Sequence, residues 1–399
     1  MKSNYRPLGN YIQEVNNRDT GKTIDLLLGV SIQKKFIPSI ANIIGTDMST
    51  YKIVKRNQFA YGPVTSRNGD KISIALLENY DDAIISQAYT AFEVSDTNQL
   101  LPEYLMMWFR RPEFDRYARF MSHGSAREIF GWAEMCNTEL PVPHIDKQKE
   151  IIKEYNVLVD RIELNNKLIQ KLEETAQAIY KQWFVDFEFP DENGLPYKSC
   201  GGEMTYLEEL ERKIPKGWRD GYLNKITEYS RKKVSINQIT ENIYISTENM
   251  LPNRGGITAI INFPDEGNVT SFNIGDILVS NIRPYFKKIW LASFEGGCSN
   301  DILCFQPKGI ISSEYLYYLL ETDAFFDYVM AGSNGDKMPR GDKKWILNYP
   351  IVIPDEFVIE KFNQVISPTT KLKSCLRLEN ELINQLTNVI LSKLASLEN

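Results

Sequence analysis

Residues 165–172 read NNKLIQKL and residues 379–386 read ENELINQL, nearly one helical phrase written twice. Each sits in a long run of apolar residues spaced by three and four. The first run includes Ile152, Tyr155, Val159, Ile162, Ile169, Leu172, Ala176, Ile179 and Trp183, with a gap at Asn166. The second takes in Phe362, Val365, Leu372, Leu376, Ile383, Leu386, Ile390 and Leu394, with Thr369 and Asn380 in its gaps. Alternating steps of three and four mark a narrow stripe suited to helix–helix packing. The spacing therefore predicts two long helices that pair along matched seams. Asn166 and Asn380 fall at the same point of the phrase. In an antiparallel pair they are expected to face each other and fix register, as a polar residue in an apolar seam does.

The repetition extends beyond the helices. LPEYLMMWF at 101–109 is echoed by SSEYLYYLL at 312–320, and HGS at 123–125 by the AGS ending at Ser333. LPVPHIDKQKEI at 140–151 is echoed by IVIPDEFVIEKF at 351–362. A period of about 211–214 residues is far too long for a solenoid. It reads as a duplicated domain pair. Apolar and aromatic runs bounded by turn residues, such as QFAYGPV, KISIALL, NIYIS and DILVSNI, predict strands in both halves. Short helices are expected at 102–121 and 313–330, opening after Pro or Ser. The expected organisation is a first lobe at 1–143, a central long helix at 144–187, an irregular linker at 188–213, a second lobe at 214–353 and a C-terminal long helix at 354–399. The fold class is α+β: two mixed α/β lobes joined by two long, antiparallel, coiled-coil-like helices in a pseudo-twofold repeat.

Composition narrows the function classes. The chain has 399 residues, 43% hydrophobic and 25% charged, an ordinary globular balance. No apolar run reaches the roughly 20 residues that cross a bilayer, and the first residues lack a signal-peptide pattern, so a cytoplasmic, membrane-free protein is expected. Five cysteines without CxxC spacing and two histidines, His123 and His144, argue against a disulfide framework and a zinc site. The net charge is −6. Residues 1–143 carry 16 basic and 16 acidic side chains, residues 213–353 carry 16 and 15, and residues 144–212 carry 9 and 15. The acid excess therefore lies between the lobes, which leaves either lobe free to bind nucleic acid.

No Walker A loop, dinucleotide fingerprint, amino-methyltransferase motif or nucleophile–histidine set is present. Pro190-Asp191 and Glu211-x-Lys213 imitate the carboxylate–lysine set of metal-dependent nucleases, but that set needs carboxylates on neighbouring strands. The first pair here falls in the expected linker. What both lobes do carry is basic residues among aromatics and turn formers. In the first lobe these are Lys34, Lys35, Tyr61, Ser66, Arg67, Asn68, Lys71 and Arg127. In the second they are Arg231, Lys232, Lys233, Asn281, Arg283, Tyr285, Lys287, Lys288, Lys337, Arg340, Lys343 and Lys344. Arg, Lys, Asn and Ser on loops suit both phosphate contacts and base-edge hydrogen bonds.

The repeated hydrophobic-Pro segments LPVPHIDKQKEI and IVIPDEFVIEKF, the central AIYKQWFVDFEFP, the GGEM segment and the IPKGW that opens the second lobe together resemble the DNA-specificity subunits of type I restriction-modification enzymes. The resemblance covers essentially the whole chain. It implies a non-catalytic subunit with two target-recognition domains, each reading half of a bipartite site in double-stranded DNA. It further implies that the helices act as spacer and as docking surface for two modification (methyltransferase) subunits, with motor-nuclease restriction subunits in the full complex. The chain itself would hold no cofactor. S-adenosylmethionine, ATP and Mg²⁺ would belong to the partners, and the modification subunits would flip the target base. A two-lobed scaffold that binds only proteins is the alternative.

Overall fold

The computed structural model describes residues 5–21, 24–39, 47–66, 68–124, 127–208, 211–258, 260 and 262–396. The chain divides into two compact units. The first comprises Met1–Asn165 with Leu378–Asn399, and the second Asn166–Arg377. The helices in chain order are α1 (Pro102–Phe109), α2 (Pro112–Phe120), α3 (Trp132–Cys136), α4 (Ile145–Tyr180), α5 (Ser313–Glu321), α6 (Asp323–Ala331), α7 (Lys343–Leu347) and α8 (Glu356–Lys393). Helices and sheets coexist in each unit, which makes the fold α+β.

In the first unit an antiparallel sheet runs Ile12–Val15, Thr90–Val94, Gln58–Tyr61, Ile74–Leu76. Its aromatic face packs on α1, with Phe59 stacked on Phe92 at 4.8 Å and Phe109 edge-on to both. A second sheet runs Phe36–Pro38, Leu27–Val30, Asp82–Ile85, Lys52–Lys55, its central pair parallel. The second unit repeats the first arrangement as Thr227–Tyr229, Ile302–Pro307, Ile277–Ser280, Ile289–Leu291. Its other sheet runs Lys233–Ser235, Asn268–Phe272, Gly296–Cys298, Tyr244–Ile245, and here the parallel pair lies at the edge. The two units therefore share one sheet plan and differ in the other.

One hydrogen bond occurs in both. Tyr104 of α1 donates its hydroxyl to the Pro141 carbonyl at 3.1 Å, and Tyr315 of α5 donates to the Val352 carbonyl at 3.3 Å. Both tyrosines are fully buried, where an unmade hydroxyl bond would cost about 1–3 kcal/mol. Tyr104 and Tyr315 are 211 positions apart, as are Pro141 and Val352, and Pro112 and Asp323 at the starts of α2 and α6.

The long helices pair within each unit. In the first, Ile151 and Tyr155 of α4 share a core with Leu391 of α8 and with Leu394 just beyond its end, and Arg161 pairs with Glu379 at 2.9 Å. In the second, Glu173 pairs with Lys373, while Tyr180 and Trp183 meet Phe362. Rising numbers on one helix meet falling numbers on the other, so each pairing is antiparallel. The inward positions of α4 are Gln148, Ile151, Tyr155, Leu158, Ile162, Asn165, Ile169, Leu172, Ala176 and Ile179. Those of α8 are Ile359, Phe362, Ile366, Thr369, Lys373, Leu376, Asn380, Ile383, Thr387 and Ile390. The alternation of three and four is unbroken on both, and each α8 position lies 211 beyond its α4 counterpart.

This corrects the seams expected from apolar spacing. Val159, Val365, Leu372 and Leu386 are exposed, because one neighbour on the helix, Leu158, Ile366, Lys373 or Thr387, takes the inward place. It also corrects the register pair. Asn165, 1% exposed, donates its Nδ2 to Asn380 Oδ1 at 2.9 Å and to Glu379 at 3.0 Å, whereas Asn166 lies on the exposed side. The matching phrases are offset by 214 positions and the seams by 211, so the phrases do not occupy equivalent places. Described residues of the expected irregular linker make defined contacts. Phe189 stacks on Trp218 at 5.1 Å and on Tyr197 at 4.6 Å, and Met204–Leu207 forms a hairpin with Arg212–Pro215. Asp191 closes a turn by accepting from the Asn193 and Leu195 amides.

Candidate nucleic-acid interface

In the first unit the chain leaves strand Gln58–Tyr61 into a loop that pairs with the segment following α2. Val64 and His123 both bridge Ile129, the Thr65 amide donates to the Glu128 carbonyl at 3.0 Å, and the Phe130 amide donates to Pro63 at 2.8 Å. Thr65 Oγ1 donates to Ser122 Oγ at 2.9 Å, and Ser122 donates to the Ala118 carbonyl, which ties the loop to the end of α2. Asn68 Nδ2 donates to the Val64 carbonyl at 3.2 Å and closes the turn. Gly124, at φ +134°, admits no side chain: a Cβ there would lie 2.1 Å from the Arg127 carbonyl. Ser66, Lys71 and Arg127 project into solvent from this cluster and Asn68 is half-buried. Arg67 lies outside the described residues, as do Ser125 and Ala126.

The second unit builds a counterpart from strand Ile277–Ser280. Ile282 bridges Arg340, the Asn281 amide donates to Asp301 at 2.8 Å, and the Arg283 amide donates to the Pro339 carbonyl at 2.8 Å. Ser333–Asn334 pairs with Arg340–Gly341 to form the facing hairpin. Gly341 is needed there, since a Cβ would press on Asn281 Oδ1 and Ile346 at 2.8 Å. Arg283 and Lys287 both adopt left-handed backbone at φ +50°, a conformation that costs a non-glycine residue about 1–2 kcal/mol. The cost is offset by amide donation from Asn253 to Phe286 and from Arg254 to Lys287. Between these residues Pro284–Phe286 forms a single tight turn that lifts Tyr285 to 47% exposure. Arg340 pairs with Asp301 at 3.2 Å, and Lys233 donates to the adjacent Asn300 at 2.9 Å. Asn281, Arg283, Tyr285, Arg340 and Lys233 thus gather in one cluster. Lys337 is exposed on the hairpin, and Lys343 and Lys344 open α7, whose first amides are capped by Asp342. Arg231 and Lys232 are exposed on the approach to the Lys233 strand.

Four expected residues are committed elsewhere. Lys34 is 7% exposed and donates to Asp115 at 2.7 Å and to the Phe109 carbonyl, and burial pulls its pKa below the usual lysine value. Tyr61 is fully buried among Phe92 and Phe130, and burial raises its phenol pKa. Lys287 pairs with Asp323 at 2.6 Å; hydrogen bonds from Lys287 and then Arg254 hold that carboxyl down to about 2. Lys288 donates to the Thr247 carbonyl, and desolvation lowers its pKa. Lys35 remains exposed, on the turn closed by the Ser31 amide and the Lys35 carbonyl. Two apolar residues at the first cluster were not foreseen: Ile129, 44% exposed, and Phe120, 82% exposed. The second was legible, because a helix whose inward face is Phe114, Ala118 and Met121 points residue 120 outward.

A family model described as the type I restriction modification DNA specificity domain matches residues 16–174. The MjaIX specificity subunit of Methanocaldococcus jannaschii is 22% identical over 67% of this chain and 62% of its own length. The HindI specificity subunit of Haemophilus influenzae is 26% identical over 40% of this chain and 35% of its own. The chain therefore spans less than two thirds of the length of these relatives. The crystal structure of a type I S subunit from M. genitalium shares the fold at a TM-score of 0.55 and 13% identity, covering 99% of this chain and 96% of that one. Residues 16–174 thus match the type I DNA-specificity domain, and the chain as a whole is similar to type I specificity subunits in sequence and in fold.

Proposed function

We propose that the chain recognises double-stranded DNA by sequence within a type I restriction-modification complex, each unit reading one half of a bipartite target. The observation that carries this is the pair of loop clusters, each built at the end of the same sheet strand and each presenting Arg with Asn or Ser on a backbone held by its own hydrogen bonds. Such groups supply both phosphate positioning and base-edge reading, and pre-ordered loops lose little entropy on binding. The chain performs no chemistry in this reading. Methyl transfer with S-adenosylmethionine, and ATP- and Mg²⁺-dependent translocation and cleavage, belong to two modification subunits and to restriction subunits, in the cytoplasm with the DNA. The 211-residue offset supports a pseudo-twofold platform, and the antiparallel, coiled-coil-like helices set the gap between half-sites. An exposed row on α8, Leu378, Leu382, Leu386 and Val389, supports partner docking on the helices, since covering each such side chain is worth roughly 1–2 kcal/mol. Methylation sequencing of DNA from cells carrying this chain with its modification partner tests the reading. A two-part methylated motif is the expected result. Its absence, with duplex binding insensitive to salt, would favour a protein-binding scaffold.

A further inference from the structure

Phe120 is the most exposed large hydrophobic side chain among the described residues, at 82%. The fold does not ask for it. It ends α2, whose inward face is Phe114, Asp115 and Ala118, and the residue 211 positions on, at the end of α6, is Ala331. Its surroundings are those of the loop cluster. The bonds from Thr65 to Ser122 and from Ser122 to Ala118 fix the end of α2 against the loop that carries Ser66 and Asn68. Arg116 lies one helical turn before it, its side chain 67% exposed and paired with Glu113 at 3.2 Å, and Arg119 pairs with Glu128. A phenyl ring beside two Arg–Glu pairs is a poor protein-docking patch, which needs contiguous apolar area. It suits a surface that is anionic apart from small apolar points. Duplex DNA is such a surface, and in its major groove the thymine C5-methyl is the apolar point on a base edge.

We propose that Phe120 is a specificity-determining residue that reads a thymine C5-methyl in the half-site taken by the first unit; this rests on the DNA-recognition reading above. The test uses the full chain assembled with its modification partner and a duplex carrying the methylated motif, each thymine replaced singly by deoxyuridine. At one thymine of one half-site the replacement should weaken binding roughly fourfold, the value of removing one methyl-sized group from water. Phe120→Ala should lose that discrimination and bind the thymine and uracil duplexes alike, with an unchanged melting temperature because the ring buries little. Discrimination that survives in the variant overturns the proposal, as does a wild-type complex indifferent to every replacement. If the wild-type complex is sequence-specific yet indifferent to uracil, the recognition reading stands and the role of Phe120 alone is lost. Binding that ignores sequence altogether sinks both.

Discussion

Lys34 and Arg283 look alike in the sequence, each a basic residue beside turn formers, yet the fold places them oppositely. Lys34 adopts left-handed backbone at φ +61° and sends its ammonium inward to Asp115, 81 residues away, whose carboxylate also accepts from the Ile72 amide. Arg283 adopts the same backbone region at the rim of an exposed turn. Lys34→Met should destabilise the chain by about 3–5 kcal/mol, because it strands a buried carboxylate. Urea unfolding would measure this, and the salt dependence of DNA binding should not change. A variant of normal stability with a shallower salt slope would return Lys34 to the DNA face. The loops that carry Ser66, Asn68, Asn281, Arg283 and Arg340 were legible from composition. Which of the basic and aromatic residues stay free was not, because that depends on partners such as Asp115 and Asp323, far away in the chain.

The long helices were legible as helices, and their seams were displaced by one residue at four points. Apolar spacing favours Val159, Val365, Leu372 and Leu386, whereas the unbroken three-four alternation places Leu158, Ile366, Lys373 and Thr387 inward. Polar seam residues are hidden from a search for apolar ones. Asn165→Leu alone should cost about 1–3 kcal/mol, because Asn380 and Glu379 each lose a donor in a half-buried site. Adding Asn380→Leu should recover stability while loosening register, which thermal unfolding of both variants would show; equal losses in the two would count against a register role. In the second unit, Glu321 is 4% exposed, accepts from Tyr317 at 3.2 Å, and has its pKa pushed up to about 7 by burial and then by the charge of Glu173, with Arg254 and Gln177 opposing. A carboxyl raised above its unfolded value binds its proton more tightly in the fold, so stability should fall as pH rises from about 4.5 to 7. Glu321→Gln should remove that fall, on the order of 2–3 kcal/mol, and denaturant titrations at pH 5 and pH 8 would reveal it.

At the scale of the whole molecule, the hydrogen bonds that shape the second loop cluster, to Asp301, Pro339 and Asn281 and from Asn253 and Arg254, are made inside the second unit. The first cluster is likewise closed by Glu128, Pro63 and Ser122 within its own unit. If each unit reads DNA as proposed, two readers wired separately should fail separately. Arg283→Ala is predicted to relax the base preference at one position of one half-site by about 1–3 kcal/mol if the guanidinium reads a base. If it meets a phosphate instead, affinity should fall across all sequences and the slope of log K against log salt should drop by about 0.9. In either case the other half-site should keep its full base preference. Binding measured across a library randomised in both half-sites, at two salt concentrations, separates these outcomes. A loss of preference that spreads into both half-sites would mean that the clusters are coupled through the helices, and the picture of two independent readers on one chain would have to be given up.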